Sequence, residues 1–195
     1  HRSLLRRCRR ENDIVVLSIF VNPKQFGPKE DFAKYPRREP ADKKLAKKEK
    51  VDILFIPTAK EMYPEGYLTY IEVERMTQGL CGRSRPGHFR GVTTVVGKLL
   101  NIIMPDVLYL GQKDAQQAAV LTRMTRDLNF PVIVKICPTV REAGGLAMSS
   151  RNEYLTADQR KEAGVLYRSL REARQSVVAG NRLARAIISK IRSRI

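Results

Sequence analysis

The sequence predicts an α/β protein: a Rossmann-like parallel sheet with helices on both faces, followed by the start of a smaller domain. Three observations carry this. Short apolar runs rich in β-branched residues recur at 14–20, 51–56, 107–110 and 132–136. Each run is nearly continuous in apolar residues, as strands covered on both faces are. Between them lie stretches long enough for helical crossovers, which join parallel neighbours.

Taken in order, residues 2–11 read as a basic helix and 14–20 (IVVLSIF) as the first strand. Residues 22–28 hold two prolines and a glycine and form a loop. A helix with an exposed basic face covers 40–50, and a second strand, 51–56 (VDILFI), stops at Pro57. Residues 69–73 suit a shorter strand. A buried helix at 91–104 is closed by Pro105, and the third strand (VLYL) follows at 107–110. An amphipathic helix at 115–128 leads to the fourth strand, 132–136. Pro138 marks a change of character, and beyond Arg151 the chain is polar and helical. The expected domains are 1–139 and 140–195. There is no initiator Met, and residues 187–195 still alternate apolar and basic, so the chain reads as truncated at both ends.

The 195 residues are 43% hydrophobic, enough for one good core or for one domain plus part of a second, and the net charge is +17. That charge raises a nucleic-acid hypothesis. Against it, the basic runs carry no interleaved aromatic residues of the kind single-strand binders use. Arg6, Arg7, Arg9 and Arg10, and Lys43, Lys44, Lys47, Lys48 and Lys50, read instead as solvated helix faces, with an anionic substrate as a further use for the charge. The three cysteines, Cys8, Cys81 and Cys137, are odd in number and form no CxxC, which argues against a disulfide framework or zinc site. No apolar run approaches the ~18 residues of a membrane span.

In open parallel sheets, ligands bind outside the carboxyl ends of the strands. Four polar clusters lie at or near such ends or in adjoining loops. Asn22 and Gln25, in VNPKQF, are uncharged groups able to hold a hydroxyl or carboxylate, or simply to shape a turn. Arg83 to Gly91 (RSRPGHFRG) makes a candidate anion site at a helix start, with His88 either in the site or structural. In GQKDAQQ, Gly111 admits a ligand to the backbone and Lys113 offers a point charge to phosphate, while Asp114 and Gln117 have the spacing of a capping box. GGLAMSSR suits a hinged loop closing over a polyphosphate, or an ordinary surface loop with a helix cap.

In this order and spacing, FVNPKQFGPKEDFAKYPR, SRPGHFRGVTTVV, GQKDAQQ and GLAMSSRNEYL resemble the pantothenate synthetases (pantoate–β-alanine ligases). The likeness runs to about residue 160. It implies a nucleotidyltransferase-type (HUP) fold and a cytoplasmic, AMP-forming ligase that is a homodimer. The implied reaction condenses pantoate with β-alanine through a pantoyl adenylate, with ATP and Mg2+. It needs no specific nucleic acid and no membrane.

The resemblance also implies roles. His1 matches the last His of the family's His-x-Gly-His motif, a general acid at the ATP phosphates, with the strand before it and most of the C-terminal domain lying outside this sequence. Catalysis falls to His1 and Lys113. ATP binding falls to Gly111, Gln112, Lys113, Asp114, the Val140 backbone, Met148, Ser149, Ser150 and Arg151. Pantoate and β-alanine fall to Asn22, Gln25, Gln117, Arg85 and His88. Asp114 and Asp42 are metal candidates. Gln112 and Cys81 stand where a Glu is usual, as subfamily variation. The rivals are another nucleotidyltransferase of this fold, a basic nucleic-acid-binding module, or an inactive fragment.

Overall fold

The computed structural model describes residues 1–28 and 30–195, in two units, His1–Pro138 and Thr139–Ile195. In the first unit, α1 (Arg2–Glu11) is the expected basic helix. Four of its arginines pair with carboxylates, although Arg2 and Arg6 stay about half exposed to solvent. Arg2 and Arg6 both donate to Glu49, which is 8% exposed, and Arg9 Nη1 reaches Asp52 at 2.6 Å. Glu11 accepts from Lys135 at 2.7 Å, Arg7 at 2.8 Å and the Tyr109 hydroxyl at 2.9 Å. These donors, Lys135 first, hold the Glu11 carboxyl down at about 2.

β1 (Val16–Ser18), α2 (Glu39–Lys48) and β2 (Ile53–Phe55) form one βαβ unit, its strands parallel with Val16 opposite Ile53. After Pro57, the short α3 (Ala59–Met62) starts on a capping box made by Thr58 and Glu61. α4 (Cys81–Ser84) precedes α5 (His88–Ile103). α5 begins after Gly87, whose φ of 79° favours glycine, and ends at Met104 in the left-handed region, just before Pro105. β3 (Val107–Gly111), α6 (Ala115–Asp127) and β4 (Ile133–Cys137) form the second βαβ unit, parallel with Val107 opposite Ile133 and Gly111 opposite Cys137. Val92 and Leu100 of α5 meet Leu121 and Met124 of α6 in the core, with Leu108, Leu110 and Phe130 packed against them.

Three expectations are corrected here. The four strands were expected in one sheet; among the described residues they form two parallel pairs, β1–β2 and β3–β4. A single crossover helix fixes each pair, whereas the β2-to-β3 connection passes through three helices and imposes no such adjacency. The short strand expected at 69–73 is absent, because Ile71 satisfies its main chain on α5 instead. Its N–H donates to Thr94 Oγ1 at 3.0 Å and its C=O accepts from Thr93 Oγ1 at 2.6 Å. The strands are also less covered than their composition suggests, with Ile53 at 53% and Ile133 at 63% exposure.

The second unit is helical, with α7 (Ala157–Glu162), α8 (Val165–Val178) and α9 (Ala184–Arg192). Before them an antiparallel bridge joins Arg141 and Ala147. Arg141 stacks on the Tyr167 ring at 3.9 Å. Gly145, at φ 89°, turns the chain where a Cβ would stand 2.6 Å from that ring. Among the described residues, no helix of either unit is long and apolar enough to cross a membrane.

Candidate active site

The loop after β1 is braced from several sides. Asn22, 2% exposed, accepts from Lys24 N–H at 3.2 Å and from the Tyr63 hydroxyl at 2.8 Å. Its Nδ2 donates to Gly91 C=O at 3.0 Å and to Gln25 Oε1 at 3.3 Å. α5 presses on the same loop: a Cβ at Gly91 would collide with Lys24 O and lie 2.7 Å from Gln25 Cα. Only glycine allows this approach, so the HFRG sequence reads as a docking edge for residues 22–25.

Arg85 and His88 belong to the same cluster. Arg85 grips Glu30 with two nitrogens, Nε to Oε1 at 2.7 Å and Nη2 to Oε2 at 2.6 Å. This fork lowers the Glu30 carboxyl below the usual range. Arg85 Nη1 lies 3.0 Å from His88 Nε2, and His88 Nδ1 lies 2.8 Å from Gln25 C=O. A guanidinium only donates and a carbonyl only accepts, so the ring fits as the neutral tautomer protonated at Nδ1. The structure thus joins Asn22, Gln25, Arg85 and His88 with Gly91 at the end of the second cluster, and it adds Glu30 and Tyr63, which the sequence reading did not single out. Glu30 follows the loop directly in FGPKED, and Tyr63 precedes Pro64 far along the chain, but nothing in either stretch names its partner.

The segment after β3 is built differently. Residues Gln112–Asp114 form one 3-10 turn, with Gln112, Lys113 and Asp114 exposed. A Cβ on Gly111 would meet nothing within 4 Å. The capping box expected of Asp114 and Gln117 is not made: Asp114 is the N-cap of α6 without a side-chain cap bond. Its carboxylate instead accepts from Lys113 Nζ at 3.2 Å, because the 3-10 turn sets both side chains at the exposed strand end. Gln117 lies half-buried in the first turn of α6. The neighbouring Gln116, also missed from sequence, clamps the preceding loop. It donates to Met76 C=O at 3.0 Å and Gly79 C=O at 2.8 Å, and accepts from Cys81 N–H at 3.0 Å. Gln116 therefore ties the start of α6 to the start of α4, a few residues before Arg85.

His1 is exposed at the N-cap of α1 without a side-chain cap bond. Asp42, half-buried, lies in the first turn of α2, away from Asp114 in sequence and element. Among the described residues, no three His, Cys, Asp or Glu side chains gather to hold a metal. In the second unit, Val140 and Met148 are 43% and 58% exposed. Ser149 caps the 3-10 turn Ser150–Tyr154, accepting from Arg151 N–H. The buried Asn152 holds this loop from within, donating to Glu142 at 2.8 Å and Ala147 C=O at 3.0 Å.

Folding also makes an aromatic–basic cluster that the sequence order hides. Tyr63, Tyr67 and Tyr70 pack edge to face, at 5.1 and 5.7 Å. Lys24 lies over Tyr63 and Tyr70, Lys98 over Tyr67, and Arg90 over Tyr70 at 4.0 Å. Each ring carries a cation of this chain over its face, which is an internal cation–π arrangement more than a stacking platform for bases.

Residues 1–195 match the family model described as Pantoate-beta-alanine ligase. Pantothenate synthetase of Moorella thermoacetica is 58% identical over 96% of this chain and 66% of its own length. That of Heliobacterium modesticaldum is 62% identical over 93% of this chain and 65% of its own length. The chain thus spans about two thirds of the length of these relatives, at 65–66%. A crystal structure of the Thermus thermophilus enzyme superimposes with a TM-score of 0.95 at 49% identity, covering 99% of this chain and 71% of that one. The Francisella tularensis ligase, solved with β-γ ATP and β-alanine, gives 0.84 at 38% identity, covering 98% of this chain and 72% of that one. These likenesses fix the Rossmann-like α/β class.

Proposed function

The chain belongs to the pantoate–β-alanine ligase family, and from that premise we propose that it carries the substrate-activating part of an enzyme making pantothenate. The pantoate carboxylate attacks the α-phosphate of ATP and pyrophosphate leaves. The β-alanine amine then attacks the acyl carbon of pantoyl adenylate, loses a proton, and AMP leaves. Catalysis of this kind rests on positioning and charge stabilisation.

The observation that carries the reading is the contrast between two strand-end segments of one unit. The neutral amide of Gln25 is met by Asn22, and its main chain is held by His88 and by the close approach of Gly91. Lys113 and the uncovered Gly111 stand open after β3. A neutral, oriented donor suits a small hydroxy acid; an open cation beside bare backbone suits a polyphosphate. In this reading Gln25 and Gln117 hold pantoate, and Arg85 and His88 support that subsite. Gly111, Gln112, Lys113 and Asp114 meet ATP. In the second unit, the Val140 backbone takes adenine, and Met148, Ser149, Ser150 and Arg151 take the phosphates. His1 acts as general acid toward the departing pyrophosphate.

Mg2+ bound with ATP would supply neutralisation of the phosphate charge. Asp114 fits as one hard oxygen donor, the phosphates supplying others, while Asp42 is the weaker candidate because it shares no segment with Asp114. The reading extends to a cytoplasmic homodimer. It is tested on the full-length protein that contains this sequence. AMP and pyrophosphate should appear only when pantoate is present, with β-alanine needed for turnover beyond the adenylate. Equal activity with an unrelated acid would sink it.

A further inference from the structure

Tyr63 touches the most buried member of the candidate pantoate loop. Its hydroxyl lies 2.8 Å from Asn22 Oδ1. Two main-chain groups fix which end of the Asn22 amide is oxygen. Lys24 N–H, at 3.2 Å, only donates, and Gly91 C=O, at 3.0 Å, only accepts. Asn22 Oδ1 is therefore the acceptor, and Tyr63 must be the donor. Burial pushes the Tyr63 phenol above the usual tyrosine range, so it keeps its proton at working pH. Asn22 Nδ2 in turn meets Gln25 Oε1 at 3.3 Å. With its oxygen engaged there, the Gln25 amide turns its NH2 end away from Asn22. His88 fixes the Gln25 main chain independently, at 2.8 Å.

We propose that Tyr63 is a positioning residue for the acid substrate: through Asn22 it fixes the amide of Gln25 so that its NH2 end is the one presented. Asn22, 2% exposed with both amide atoms engaged, then acts by orienting Gln25 rather than by touching substrate. The subsite recognises a hydrogen-bond acceptor, a carboxylate or hydroxyl oxygen of a small hydroxy acid. This inference rests on the acyl-adenylate reading above and adds a residue to it.

The test uses the full-length protein and pantoate-dependent pyrophosphate release. Tyr63→Phe removes one hydroxyl and keeps the ring. Half-saturating pantoate should rise by about tenfold, the effect of one lost hydrogen bond. The plateau rate and half-saturating ATP should stay at parental values. Tyr67→Phe, whose ring is 5.1 Å from that of Tyr63, should change none of the three. Asn22→Asp keeps the acceptor but loses the donor to Gly91 and Gln25, and should raise half-saturating pantoate at least as much. A Tyr63→Phe protein with parental half-saturating pantoate overturns the proposal. So does one in which pantoate, ATP and plateau rate all worsen together with melting temperature, since that is a general structural loss. If the parent releases no pantoate-dependent pyrophosphate, the reaction assigned above is wrong. Calorimetric titration of pantoate into parent and Tyr63→Phe then decides the relay by itself: weaker binding by the variant supports it, and equal or absent binding overturns it.

Discussion

The loop after β1 and the segment after β3 occupy equivalent places in two βαβ units, yet they are built on opposite plans. In the first, Asn22 is buried and saturated, and α5 is pressed so close that Gly91 admits no Cβ. In the second, Gly111 has open space, and Lys113 has only its neighbour Asp114 within the described ion pairs. The difference follows from what each is proposed to hold. A neutral amide gains selectivity only if its donor end is fixed beforehand, so the protein saturates everything around it. A cation facing phosphate acts through charge, which tolerates solvent and motion until the ligand arrives.

The comparison can be broken most sharply at Lys113. Lys113→Ala in the full-length protein should lower the single-turnover plateau of adenylate formation by roughly 10²–10³, about 3 kcal/mol, as expected on removing one charge stabiliser. A parental plateau would show that the open segment plays no chemical part. Next comes the glycine pair. Gly91→Ala forces a methyl into the Lys24–Gln25 backbone and should cost about 1–3 kcal/mol in denaturant unfolding, with weaker pantoate saturation. Gly111→Ala, with nothing within 4 Å and an ordinary extended backbone, should leave unfolding within about 0.5 kcal/mol. Equal effects of the two substitutions would erase the contrast.

Gln25→Ala should be milder than Lys113→Ala and different in kind. Half-saturating pantoate rises by about tenfold, from loss of ~1–2 kcal/mol of hydrogen bonding, while the plateau rate holds. A fall in plateau rate alone would place Gln25 with the chemistry instead.

The smallest effect is expected away from both segments. The Glu11 carboxyl is depressed to about 2, below its unfolded value of about 4.3, by Lys135, Arg7 and Tyr109. Its contribution to stability is therefore complete above about pH 5 and is lost as pH falls toward 2. Thermal melts should show Glu11→Gln closing its gap to the parent across that acid range. A gap constant from pH 7 to pH 2 would contradict it.

The sequence by itself determined the helices α1 and α6, the body and end of α5, and the local βαβ pairs, because apolar periodicity and Pro105 act on near neighbours in the chain; it began α5 at 91, whereas the helix starts at His88. It also placed two of the polar clusters, VNPKQF and GQKDAQQ, after strands, where a parallel sheet leaves room for ligands. It did not determine that Arg2 and Arg6 close on Glu49, or that Ile71 bonds to threonines of α5 instead of joining a sheet. It could not tell a capping box from the Lys113–Asp114 pair. Nor did it single out Tyr63, Glu30 or Gln116, whose partners lie 41, 55 and 35 residues away. These choices belong to the tertiary structure alone. A hydrogen bond or ion pair selects its partner by distance and direction in space, and separation along the chain carries no trace of either.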